Sequence, residues 1–202
     1  MVKLLYQGHA SFRLAVNNYI TYIDPYAGEQ YNEPADLILV THQHYDHNQI
    51  ELPARKHTCQ LWQNMDSHPS KDVYLTKQFG PLEISATVAC NKNHPIDQCV
   101  GYLIRTEGIT LWFAGDTSYV PEMKTQMPKE HIDYAFLPGD GIFNMDIDEA
   151  ARCANLIGAK NVTPIHLYPD HLYSDKLAHR FKDLADNCLL IRPGEEITLV
   201  HL

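Results

Sequence analysis

The chain of 202 residues is 45% hydrophobic and 20% charged, the balance of a folded globule and not of a disordered chain or a fibre. At this length roughly 70% of the extended surface is buried on folding, so an apolar core needs no disulfide staples. The formal net charge of −9 excludes a bulk binder of phosphate backbones, because an acidic protein repels a polyanion.

The first half reads as short strands separated by turns. Residues 3–6, 11–16, 19–23 and 37–41 are apolar or β-rich runs. Asn17-Asn18 makes a hairpin turn between the second and third. Residues 72–75, 82–89, 101–106 and 110–114 continue the pattern, with Glu107-Gly108 as another hairpin turn. Helices come late. Asp146 caps one, and Glu149 three residues on completes a capping box. Ile147, Ala150, Ala151, Ala154 and Ile157 give that helix its apolar face, and Gly158 stands at its C-cap. Ser174 caps a second helix running through Leu177, Phe181 and Leu184. Residues 161–165 and 196–202 read as strands. Many strands with interspersed helices predict a layered α/β sandwich. No repeat or linker divides the chain, so residues 1–202 are read as a single domain.

No apolar run approaches the ~18 residues of a membrane helix. Gln7, Gly8 and His9 interrupt the N-terminus too early for a signal-peptide core. The five cysteines are odd in number, hold no Cys-x-x-Cys pair and fit buried thiols in a reducing compartment. The expectation is a soluble cytoplasmic protein with a small-molecule substrate and neither membrane nor nucleic-acid partner. A homo-oligomer stays open. The compositional outlier is histidine, with twelve copies.

Three of those histidines fall in Thr41-His42-Gln43-His44-Tyr45-Asp46-His47, straight after an apolar strand. Polar groups at this density are not buried cheaply unless each finds a hydrogen-bond partner or an ion. In a loop leaving a strand, His42 and His44 face the same way, and the turn lets Asp46 and His47 face a second point nearby. Imidazole nitrogen and carboxylate oxygen are ligands for zinc, iron or manganese. The plain alternative is a histidine-rich surface loop.

The segment resembles the metal-binding signature of the metallo-β-lactamase superfamily, and the rest of that pattern follows in order. Ile23-Asp24-Pro25 matches the strand-end aspartate, His94 the third-motif histidine, Gly115-Asp116-Thr117 the bridging-aspartate motif, and Pro164-Ile165-His166 the last metal histidine. Gly8-His9-Ala10-Ser11-Phe12, Leu137-Pro138-Gly139-Asp140 and Tyr45 look like the UlaG-like group, which contains ascorbate-phosphate lactonase. That group is similar to the phospholipase D-type hydrolases of N-acylethanolamine phospholipids. The resemblance implies a four-layer αβ/βα sandwich with the site in loops along one edge of the two sheets. It implies two divalent metal ions: His42, His44 and His94 on the first, Asp46, His47 and His166 on the second, and Asp116 bridging. Zinc is the default for such a set; manganese and iron also suit nitrogen–oxygen ligation.

The expected function is a metal-dependent hydrolase in which a metal-bridging hydroxide attacks a small ester, lactone or phosphate-bearing metabolite. Asp46 would also orient the water, and Asp24 would steer a ligand histidine from behind. His9 is expected to line the pocket. Asp140, Tyr168 and His171 are candidates for protonating the leaving group. Residues 26–33, 119–127 and 168–173 would frame an open pocket, with Tyr26, Tyr31 and Tyr119 as aromatic walls. His57, His68, His131, His179 and His201 read as ordinary solvated or capping histidines, and Trp62 and Trp112 as core. Two rival readings are a phosphodiesterase or nuclease of the same fold, which the acidic charge disfavours, and a non-catalytic metal-binding regulator.

Overall fold

A computed structural model describes all 202 residues. Strands β1 (Val2–Gly8), β2 (Ser11–Val16), β3 (Tyr19–Ile23), β4 (Ala35–Val40) and β5 (Arg55–Gln63) build the first sheet together with the C-terminal β12 (Glu196–Leu199). Its order is β12-β1-β2-β3-β4-β5, antiparallel up to β3 and parallel from β3 to β5. The second sheet contains β6 (Thr76–Phe79), β7 (Leu82–Val88), β8 (Val100–Thr106), β9 (Ile109–Phe113), β10 (Tyr134–Pro138) and β11 (Asn161–Ile165). Its order mirrors the first, β11-β10-β9-β8-β7-β6, and β9, β10 and β11 run parallel.

The two-residue period of the strands sorts their side chains. Tyr6, Phe12, Leu14 and Leu39 from one sheet meet Tyr102, Phe113 and Phe136 from the other in a shared core. The Phe12 ring lies 5.2 Å from Phe113 and 4.8 Å from Phe136, so three strands from two sheets lock through one cluster. The outward residues of the second sheet, among them Leu103, Trp112, Ala135 and Leu137, lie beneath helices.

Four helices form: α1 (Asn64–Ser67), α2 (Glu122–Thr125), α3 (Ile147–Ile157) and α4 (Asp175–Leu184). As expected, Asp146 accepts from the Glu149 N–H at 2.8 Å and Gly158 closes α3 with φ 63°. The second half of the capping box does not form, because the Glu149 carboxylate accepts from the Tyr119 N–H at 2.9 Å instead. Ser174 caps α4 through the Leu177 N–H.

The α/β sandwich is the expected one, but its helical cover is one-sided. Helices α3 and α4 shield the second sheet. On the first sheet's outer face Ile20, Tyr22, Ala35, Ile38 and Val40 form a small cluster closed by Tyr31 and Ile50 from loops.

Other departures have local causes. Residues 72–75 form no strand and contribute one isolated bridge, Ser70 to Val73. Strands β5 and β6 carry mostly exposed polar side chains, as edge strands do, and so lack an apolar alternation. The fully buried β10 reads as one apolar run, because a parallel strand covered on both faces has no polar side. All five cysteines are free thiols. No helix is long and apolar enough to cross a membrane.

Candidate metal centre

Seven segments end at one edge of the sandwich. The β1–β2 turn brings His9, the ends of β3 and β4 bring Asp24 and residues 41–47, and the β7–β8 loop brings His94. The ends of β9, β10 and β11 bring Asp116, Asp140 and His166. Three of these residues hold left-handed backbones that glycine normally supplies: His9 at φ 55°, Asp24 at 46° and His166 at 46°. Such strain costs on the order of 1–3 kcal/mol each and persists where the surroundings over-determine it. Here the His9 N–H donates to the Leu172 carbonyl at 2.7 Å, and the His9 carbonyl accepts from the His166 N–H at 2.8 Å. The turn into Asp116 uses Gly115 at φ 67°, where an added Cβ would sit 2.4 Å from the Val100 carbonyl oxygen.

These residues gather in three overlapping clusters whose donor atoms lie within 4.8 Å of one another: His42, His44 and His94; His42, His47 and Asp116; His9, Asp46, His47 and His166. Asp116 sits between them. One of its oxygens is 3.4 Å from His47 Nε2, and the other is 3.3 Å from His94 Nε2 and 3.4 Å from His166 Nε2. Asp46 Oδ2 lies 3.5 Å from His166 Nε2 and 3.1 Å from His9 Nε2. All seven residues expected from the sequence to hold metal are therefore at one place, and His9 joins them.

A second ring of groups turns the imidazoles inward. His47 Nδ1 donates to Asp24 Oδ2 at 2.8 Å, and the same oxygen accepts from the Thr41 hydroxyl at 2.6 Å. His42 Nδ1 faces the Thr41 hydroxyl at 3.1 Å, His94 Nδ1 faces Asn91 Oδ1 at 3.0 Å, and His166 Nδ1 faces Asp140 Oδ2 at 2.9 Å. The rear nitrogens of His42, His47 and His94 thus have hydrogen-bond partners, and His166 Nδ1 has the Asp140 carboxylate as its ion-pair neighbour. The inward Nε2 atoms of His42, His47 and His166 are buried and have none. Buried polar atoms without partners are rare and call for an explanation. Three of them converging on carboxylates are the donor set of a cation.

The electrostatics agree. Burial raises the Asp116 carboxyl, but His166, His47, His42 and His94 outweigh it and hold the group well below the ordinary range. Asp46 behaves likewise through His166 and His9. Burial and the neighbouring His47 push His42 down, leaving a neutral imidazole ready to ligate. His166 is pushed up against the cost of burial by Asp116, Asp140 and Asp46. Positive charge is therefore stabilised at the centre.

Asp140 stands behind His166, not in the cleft. One oxygen accepts from the N–H groups of Ile142, Phe143 and Asn144 at 2.6, 2.7 and 3.1 Å. The other accepts from Asn144 Nδ2 at 3.0 Å and faces His166. Burial raises this carboxyl, and His166 with the backbone donors overcomes that and lowers it. A fully occupied, low-pKa carboxylate is a poor proton donor, so the expectation that Asp140 protonates a leaving group gives way to a positioning role.

Asn144 escaped the sequence reading. Its Nδ2 donates to both Asp116 and Asp140 at 3.0 Å. Its Oδ1 accepts from Asn91 at 3.1 Å, which in turn holds His94. No spacing rule marks such a residue.

The pocket walls also differ from expectation. Tyr26 does lie at the site, its ring 5.4 Å from His9 and 5.6 Å from Tyr45. Tyr31 turns away, its hydroxyl donating to the Ala27 carbonyl at 2.8 Å and its ring 5.3 Å from Tyr22. Tyr119, Tyr168 and His171 are exposed, the last two stacked on each other. The cavity that opens on the histidines is instead walled by Gln43, Asn64, Pro95, Gln98 and Cys99.

Two mixed six-stranded sheets with a metal-competent histidine–aspartate cluster at one edge define a metallo-β-lactamase-fold protein. The chain belongs to the beta-lactamase superfamily: residues 3–166 match its family profile, described as "Beta-lactamase superfamily domain". It is 30% identical over 194 residues to a UPF0173 metal-dependent hydrolase of Bacillus pumilus (strain SAFR-032), covering 82% of this chain and 85% of that relative. A crystal structure from Parabacteroides distasonis ATCC 8503 is similar with a TM-score of 0.77 at 27% identity, covering 96% of this chain and 94% of that one. The metallo-beta-lactamase fold protein YhfI of Bacillus subtilis matches with a TM-score of 0.75 at 15% identity, covering 98% and 100%, a likeness of fold alone.

Proposed function

We propose that the chain is a metal-dependent hydrolase with a two-metal centre that cleaves a small ester, lactone or phosphate-bearing metabolite. The observation that carries this is the convergence of three partnerless, buried Nε2 atoms on Asp116. The family relatives named metal-dependent hydrolases support it. His42, His44 and His94 would hold one ion, Asp46, His47 and His166 the other, and Asp116 would span both. Zinc is the first choice, with manganese or iron as alternatives. Such ions, when bound, lower the pKa of water towards 7 and polarise the bond under attack.

The chain's own residues do the rest. Asp24, Thr41, Asn91 and Asp140 fix the tautomer and aim of the imidazoles. His9 holds Asp46 Oδ2 and so directs the carboxylate towards the reacting centre. Tyr26 packs on His9 and keeps bulk water from its flank. A reducing cytoplasm suits the five free thiols.

The test is metal analysis of protein purified without a metal-affinity tag, beside a His42→Ala, Asp116→Ala double variant, with ester and lactone turnover before and after chelation. We expect about two equivalents in the wild type, loss in the variant, and turnover abolished by chelator and restored by metal. A single equivalent would overturn the two-metal reading. No metal after reconstitution with zinc, manganese and iron would overturn the hydrolase reading.

A further inference from the structure

The substrate side of the site has a chemistry of its own. A cavity of about 440 Å³ opens on His42, His44 and His94. Its walls carry carboxamides and no charge: Gln43, Asn64 and Gln98. Asn64 is the keystone, accepting from Gln43 Nε2 at 2.9 Å and donating to the Gln98 carbonyl oxygen at 2.9 Å. The exposed Gln98 side chain makes no hydrogen bond within the protein and is free to meet a ligand.

The surroundings supply almost no cationic side chain. The seven loops of the site edge (8–10, 24–33, 41–50, 90–98, 115–120, 139–146 and 166–173) contain nine carboxylates and one lysine, Lys92. Sites that recognise phosphate or carboxylate use Arg, Lys or an open helix N-terminus. None of these lines the cavity. The loops of the site edge expose apolar side chains instead: Tyr45 is 72% exposed, Ile142 50% and Phe143 47%. Asn93 donates to the Phe143 carbonyl at 2.9 Å, which ties the loop of Ile142 and Phe143 to the turn that carries His94.

We propose that the carboxamide-walled cavity beside His44 and His94 is a substrate subsite selecting an uncharged ester or lactone with an apolar flank, against phosphate- or carboxylate-bearing analogues. The inference rests on the hydrolase reading above and narrows its substrate class. The metals would meet charge that develops at the reacting bond. The cavity meets the rest of the molecule, with amide donors and acceptors at close range and carboxylates around it. A fixed negative charge there would lose its hydration with no Arg or Lys side chain lining the cavity to receive it.

The experiment compares three substrates with one leaving group on the metal-loaded full chain: 4-nitrophenyl butyrate, 4-nitrophenyl hemisuccinate and 4-nitrophenyl 3-phosphonopropanoate. We expect kcat/KM for the butyrate to exceed both anionic substrates by roughly tenfold or more. Gln98→Lys, and separately Gln43→Lys, should narrow the butyrate-to-hemisuccinate ratio roughly fivefold at unchanged metal content. Preference for either anionic substrate, or ratios that neither lysine variant moves, would overturn the subsite while leaving the hydrolase reading intact. No turnover of any of the three by protein holding two metals would sink the hydrolase reading and the subsite with it.

Discussion

Asp140 keeps both carboxylate oxygens occupied behind His166, and that placement separates steering from chemistry. Replacing it with asparagine preserves the shape but removes the charge that His166 Nδ1 faces at 2.9 Å. The inverted amide also cannot satisfy both its backbone donors and the imidazole. Losing such a group behind a metal ligand typically costs 10–100-fold in metal affinity or rate. The expected outcome for Asp140→Asn is a folded protein whose metal titration shows affinity weakened by about 10–100-fold, with activity partly recovered at excess metal. Unchanged affinity with a lost basic limb of the pH–rate profile would instead restore Asp140 as a proton donor. The strained backbones of His9, Asp24 and His166 fit the same division of labour, because the folded frame maintains what an isolated loop would relax.

Helix α3 begins directly after the loop that carries Asp140 and Asn144, so its first turn anchors that loop. Asp146 accepts from the Glu149 N–H, while the Glu149 carboxylate reaches the Tyr119 N–H. One cap therefore ties α3 to itself and, through Glu149, to the segment following Asp116. Asp146→Ala should destabilise the protein by about 1 kcal/mol, the usual value of an N-cap. Denaturant midpoints at constant slope would measure it. A loss under a few tenths of a kcal/mol would mean that packing of Ile147, Ala150 and Ala154 alone sets the helix start. The edge strands teach the opposite lesson. Nothing local in Arg55–Gln63 favours a strand strongly, and β5 exists because β4 offers it a ladder.

The two sheets and the chain end are joined at the pole opposite the metals by Asp133, which is 1% exposed. It accepts from the Thr110 N–H at 2.9 Å, from Lys160 Nζ at 3.2 Å and from the Leu202 N–H at 3.2 Å. Burial raises this carboxyl, but those donors prevail and hold it below its ordinary value. A depressed folded pKa stabilises the protein above the unfolded value of about 3.9 and loses that contribution as pH falls through the folded value. Asp133→Asn should therefore be less stable than wild type near neutrality, and the gap should shrink as pH drops below about 4. Unfolding midpoints of both proteins at about pH 7 and about pH 3 provide the comparison. A gap of equal size at both would show that lost hydrogen-bond geometry, and not charge, carries the effect.

Much of this architecture was legible in the linear order of residues, and the reason is range. Hairpin turns at Asn17-Asn18 and Glu107-Gly108 and the caps at Asp146, Gly158 and Ser174 depend on a handful of neighbours, so local chemistry settles them. The candidate ligands stand out in the sequence because a cation admits few side-chain types and the frame delivers them at strand ends. The seven expected ligands do share one place. Other features arise from segments far apart along the chain. Asn144 meets Asn91, Asn64 meets Gln98, and Tyr31 rotates away from the cleft to cover Tyr22. Burial, strand pairing at polar edges and the walls of a cavity are set by partners that folding brings together. The residue types that gather at the candidate metal site were therefore readable from the sequence alone. The aim of each imidazole, the role of Asp140 and the uncharged wall beside His44 came from long-range packing.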